Sequence, residues 1–89
     1  MPETTVIVTN EVGLHARPAA AFVKTANKYS SDISVVYGET IGNAKSILTI
    51  LTMGVNQNTE IKIVAEGDDA EEALTALETL VKNDFENAA

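Results

Sequence analysis

The stretch Ile33-Ser34-Val35-Val36-Tyr37-Gly38-Glu39-Thr40-Ile41-Gly42-Asn43 decides the fold. Ile33, Val35 and Tyr37 alternate with Ser34 and Val36, the period of a strand with one buried face. Gly38-Glu39 reads as a tight turn that returns the chain into a short strand around Thr40 to Asn43. A hairpin of this kind commits the sheet to antiparallel pairing at this point.

Ala19, Phe22, Val23 and Ala26 recur at helical spacing and predict a helix before the hairpin. Upstream of it, Thr4 to Thr9 is rich in β-branched residues and reads as a strand, with Asn10 to Gly13 as the turn that closes it. After the hairpin, Ser46 stands ahead of Ile47, Leu48, Ile50 and Leu51, a short apolar helix expected to end near Gly54. Ile61, Ile63 and Ala65 alternate with Lys62 and Val64 in a fourth strand. Ala70, Ala73, Leu74, Leu77 and Val81 mark the buried face of a last helix, where Asp69 with Glu72 resembles a capping box. Glu86 to Ala89 reads as a frayed end.

The predicted order is βαββαβα. Four short strands and three helices in 89 residues cannot build a parallel sheet covered on both faces. The expectation is an α+β open-faced β-sandwich, a four-stranded antiparallel sheet with three helices on one face, in one domain spanning 1–89.

Composition narrows function. There is no cysteine and a single histidine, which excludes disulfides, thiolate metal sites and multi-histidine metal sites. The apolar run Val6 to Val8 is too short for a signal peptide or membrane span, so we expect a cytoplasmic protein without membrane insertion. A net charge of −7 argues against direct nucleic-acid binding. The charge is unevenly spread. No acid occurs from Val12 to Ser31, where Arg17, Lys24 and Lys28 lie, whereas nine of the thirteen acids lie from Glu60 onward. One end should be locally positive on an acidic body, a layout suited to an anionic ligand or an acidic partner.

That positive end contains Gly13-Leu14-His15-Ala16-Arg17-Pro18-Ala19-Ala20. His15 falls where turn passes into helix, and the first N–H groups of a helix have no intrahelical partner. Pro18 suits a first turn, because its missing N–H costs nothing there. A positive helix end with free donors favours an anion, and the planar guanidinium of Arg17 can grip phosphate oxygens. The same field disfavours an imidazolium, leaving the ring a lone pair for attack, and stabilises the phosphate once attached. A histidine here could equally cap the helix or sit as a buried polar group. A general acid–base role lacks a close carboxylate, Glu11 being the nearest in sequence, and no catalytic triad follows from spacing alone.

The run Gly13 to Ala20, followed by Lys45-Ser46-Ile47 and Gly54, is similar to the HPr family, the histidine-containing phosphocarriers of the bacterial phosphoenolpyruvate:sugar phosphotransferase system. The resemblance extends from about Thr5 to about Lys82. It implies that His15 accepts a phosphoryl group on Nδ1 from phosphorylated enzyme I and donates it to IIA domains of sugar permeases, with Arg17 assisting. It implies a monomeric carrier that is not itself an enzyme and needs no cofactor or metal. By the same resemblance, Ser46 is a target of HPr kinase/phosphorylase, and its phosphorylated form binds a catabolite-control regulator. Serine is also simply a good helix cap.

The resemblance further implies a partner-binding surface made of Ala16, Pro18, Ala20, Lys24, Asn27, Lys45, Ile47, Leu48 and Leu51. Against the family pattern, Gly42 replaces a common β-branched residue and Thr49 a common glycine. Ala20 replaces a frequent threonine, and Asn27 a common lysine. Two other functions compete with this one: a regulatory paralogue (nitrogen-type or catabolite-repression corepressor) that acts mainly by protein binding, and an acceptor in a dihydroxyacetone-kinase relay.

Overall fold

The computed structural model describes residues 2–8, 16–55 and 58–83. Among them the elements run β1 (Glu3–Val8), α1 (Ala16–Ala26), β2 (Asp32–Tyr37), β3 (Thr40–Asn43), α2 (Ile47–Thr52), β4 (Thr59–Glu66) and α3 (Ala70–Lys82). This is the expected βαββαβα order. The turn expected at Asn10 to Gly13 and the terminal residues Glu86 to Ala89 lie outside the described residues.

The strands pair in the order β1-β4-β2-β3, and every pairing is antiparallel. The last strand inserts between β1 and β2, so the helical crossovers join strands that are not neighbours. That is how an alternation of strands and helices yields an antiparallel sheet. At the hairpin, Tyr37 pairs with Thr40, leaving a two-residue loop. Gly38 takes φ +60 while Glu39 keeps a negative φ, the signature of a type II′ turn, whose twist matches the strands it joins.

One face of the sheet carries the core. Val6, Val8, Ile33, Val35, Ile61, Ile63 and Ala65 point inward and meet Ala19, Phe22 and Ala26 of α1, Ile50 of α2, and Ala73, Leu77 and Val81 of α3. The outward positions of the strands, such as Lys62, Glu60 and Glu66, are exposed. Lys62 and Glu3 form an ion pair on that open face at 3.1 Å. Thr4 Oγ1 donates to Glu78 Oε2 at 2.8 Å, fastening edge strand β1 to α3.

The structure revises two details. Leu80 joins the buried face of α3, while Val23 of α1 is only partly buried against the core. The capping box at Asp69 and Glu72 does not form. Asp69 is the N-cap of α3 by position but makes no side-chain cap hydrogen bond. Its carboxylate instead accepts from the amides of Ser30 and Ser31, both at 2.9 Å, and from the Ser31 hydroxyl. Two amides and two hydroxyls on a neighbouring loop offer more donors than the first turn of its own helix. Gly67 permits this approach: its φ is +148, and a Cβ there would stand 2.8 Å from Ser31 Cα.

Candidate phosphoryl-acceptor site and docking surface

His15 lies outside the described residues; α1 begins at the next one, Ala16. Pro18 and Ala19 are buried, so the first turn is anchored to the body by its apolar side. Pro18 supplies a preset helical φ with no wasted donor. The first turn contains no acid, so nothing on α1 itself offsets the positive end of its dipole.

Arg17, Ala20, Lys24 and Asn27 are all exposed. Their spacings of three, four and three residues place them on one stripe of α1. That stripe runs from Arg17 to the approach of α2, which packs beside α1. On α2, Ile47, Leu48 and Leu51 are exposed, Leu48 at 71%, while Ile50 of the same helix is fully buried. A six-residue helix has one buried side and cannot hide four large apolar residues. Ile47, Leu48 and Leu51 therefore make an apolar surface beside the polar stripe of α1.

The junction between the helices is held by side chains. Asn27 Nδ2 donates to Val23 O at 3.0 Å and to Lys45 O at 3.3 Å. Lys45 Nζ donates to Tyr29 O at 2.7 Å, which sets its charge just beyond the carbonyl end of α1. Lys45 N donates to Asn43 Oδ1 at 2.9 Å, shaping the turn from β3 into α2. Lys45 is thus a half-buried tie between elements as well as a cation.

Ser46 is the N-cap of α2, with extended backbone geometry at φ −110 and ψ 111. Its Oγ accepts from Thr49 N at 3.3 Å and from Thr49 Oγ1 at 3.0 Å. Thr49 had appeared in the sequence only as a departure from a family glycine; here it is the principal partner of Ser46. Its position three residues after a capping serine was the available signal. Asp69 was missed in its actual role, for which the Ser30-Ser31 pair was the only hint.

Among the described residues, the one markedly shifted acid lies away from this surface. Asp69 is lowered to about 2, first by the hydrogen bond from the Ser31 side chain and next by the Ser30 amide. Among the described residues there is no group of three or more His, Cys, Asp or Glu that could hold a metal ion, and no helix is long and apolar enough to cross a membrane.

The profile of the PTS-HPr family, described as the PTS HPr component phosphorylation site, matches residues 2–83. The chain belongs to the HPr family. It is 44% identical over 77 residues to the phosphocarrier protein HPr of Mycoplasma capricolum, covering 86% of each chain. Its fold matches the crystal structure of an HPr from Thermoanaerobacter tengcongensis with a TM-score of 0.93 and 50% identity, covering 96% of each chain. It also matches Crh, a catabolite-repression protein of Bacillus subtilis whose crystal structure is a domain-swapped dimer, with a TM-score of 0.75 and 38% identity over 94% of this chain and 97% of that one. The open-faced sandwich expected from the sequence is therefore the family fold. Phosphoryl carriage in the phosphotransferase system is the role that follows from the family, with the proteins of that system as partners.

Proposed function

We propose that His15 is the phosphoryl acceptor, that enzyme I is the donor, and that IIA domains of sugar permeases are the recipients. The Nδ1 lone pair of a neutral His15 attacks the phosphorus of phosphorylated enzyme I. The new N–P bond forms as the bond from phosphorus to the donor atom breaks, and that electron pair stays with the donor. Transfer to a IIA domain repeats the step with His15 as leaving group. Arg17 holds the non-bridging phosphate oxygens, so charge that develops in transfer meets a fixed cation.

The observation that best supports this reading is the acid-free, proline-anchored start of α1 with exposed Arg17, continued by the stripe through Lys24 and Asn27 to the apolar surface of α2. In this reading the polar stripe and the residues Ile47, Leu48 and Leu51 dock enzyme I and IIA domains, whose recognition needs an apolar centre and a complementary charged rim. The chain then acts as a substrate of enzyme I, one domain carrying both acceptor and docking surface. Incubation with enzyme I and phosphoenolpyruvate should add one acid-labile, base-stable phosphate. Failure to take up phosphate from that donor would refute the reading.

A second reading, regulation through Ser46, has one observation in its favour. The likeness to Crh, whose name is that of a catabolite-repression protein, extends over nearly the whole chain. Phosphorylation of Ser46 by an ATP-dependent HPr kinase/phosphorylase would place a dianion beside the docking surface and favour a catabolite-control regulator over enzyme I. Retention of His15 with Arg17 favours carriage as the principal function. Incubation with that kinase and ATP tests Ser46 directly: an acid-stable phosphate absent from Ser46→Ala supports regulation.

A further inference from the structure

Gly42 lies on β3 with its missing side chain facing α2. It is buried, and a Cβ added there would stand 2.6 Å from Thr49 Cγ2 and 2.9 Å from Met53 Sδ. Its backbone lies outside the left-handed region, so the requirement is for space and not for a special dihedral. Met53 is unbranched and can yield. Thr49 is β-branched and stiff at χ1. The rotamer that lays its methyl over Gly42 also brings Oγ1 to 3.0 Å from Ser46 Oγ. A methyl group at position 42 therefore leaves two outcomes. Either Thr49 rotates and loses its bond to Ser46, or α2 lifts from the sheet.

We propose that Gly42 is a positioning residue for partner docking. Matched to Thr49, it sets the seat of α2, and so the place of Ile47, Leu48 and Leu51 relative to the stripe on α1. The proposal rests on the docking reading above. The entrance to α2 is held separately, by Asn27 Nδ2 on Lys45 O and by Lys45 Nζ on Tyr29 O. With that end fixed, added bulk at position 42 tilts the helix about Lys45 instead of shifting it bodily. The docking residues are then displaced while the start of α1 is not. Recognition should suffer and chemistry should not.

The test is the steady-state phosphorylation of four proteins by enzyme I: the natural chain, Gly42→Ala, the double variant Gly42→Ala/Thr49→Gly, and Leu48→Asp. Gly42→Ala should raise KM about fivefold while kcat stays within about twofold, the pattern of lost binding that is common to ground and transition states. The double variant removes the opposing methyl and should return KM to within about twofold of the natural chain. Leu48→Asp should raise KM by disrupting the docking surface directly. An unchanged KM for Gly42→Ala beside a raised one for Leu48→Asp overturns the positioning role alone. An unchanged KM for Leu48→Asp overturns the docking reading and the proposal with it. Should Gly42→Ala not fold, a folded double variant with a raised KM overturns the size match on its own, and a normal KM supports it.

Discussion

Ser31 gives both its amide and its hydroxyl to the carboxylate of Asp69, joining the loop after α1 to the start of α3. Ser30 adds its amide to the other oxygen. One acid thereby orders the return of the chain from α1 into β2, 39 residues away in sequence from its partner at Ser30.

The protonation of Asp69 should be visible in stability. Its folded pKa, about 2, lies below the usual carboxylate value. Its contribution is therefore complete above about pH 4, where the unfolded chain is ionised, and fades as pH falls toward 2. Asp69→Asn should be less stable than the natural chain at pH 7, and the difference should shrink on acidification. Thermal melts at pH 7, 4 and 2.5 check this; a difference that stays constant with pH would contradict it.

Within α2, two neighbouring residues should behave oppositely. Ile50 is fully buried and Leu48 is 71% exposed. Ile50→Ala should cost about 3 kcal/mol through lost burial and an unfilled cavity, whereas Leu48→Ala should cost less than about 0.5 kcal/mol. Urea unfolding measures both. Equal losses would mean that α2 presents a different face from the one described.

Ser46 combines a structural duty with a proposed regulatory one, and two substitutions separate them. Ser46→Ala removes the cap and should lower stability by about 1 kcal/mol. Ser46→Asp preserves a capping oxygen, so its stability should stay near that of the natural chain. It should nevertheless slow phosphorylation by enzyme I, because the added charge beside Ile47 and Leu48 opposes an acidic donor. An unchanged rate would leave Ser46 as a cap only.

Arg17 is exposed and contributes nothing to the core. Its truncation to alanine should leave stability nearly unchanged and slow phosphoryl transfer by about tenfold or more, through loss of charge stabilisation at the transferring group. Arg17→Lys should recover only part of the rate, since an ammonium lacks the two-pronged geometry. Stopped-flow or quench-flow phosphorylation reads the effect. A natural rate for Arg17→Ala would remove it from the site.

The fold was largely legible because its signals were local. The alternation through Ile33 to Tyr37, the Gly38-Glu39 turn and the period of Ala70 to Val81 each state their element within a few residues, and all were found in place. The insertion of β4 between β1 and β2 was not readable, since pairing of strands far apart in sequence leaves no periodic trace. Asp69 was misread for a related reason. A capping motif is defined by neighbours in sequence, but the donors that won its carboxylate were brought by the fold from Ser30 and Ser31. Arg17, Lys24 and Asn27 were brought in by the family resemblance, and it is the observed helix α1 that sets them on one exposed stripe. The fit of Thr49 over Gly42 required the packed structure, because it depends on the distance between a helix and a strand.

The imidazole of His15 is the proposed carrier of the phosphate. The most direct measurement is the phosphate incorporated from phosphoenolpyruvate and enzyme I by the natural chain and by His15→Ala, compared at equal concentration. One acid-labile phosphate per natural chain and none on the variant is the predicted result. Undiminished incorporation on His15→Ala would contradict it.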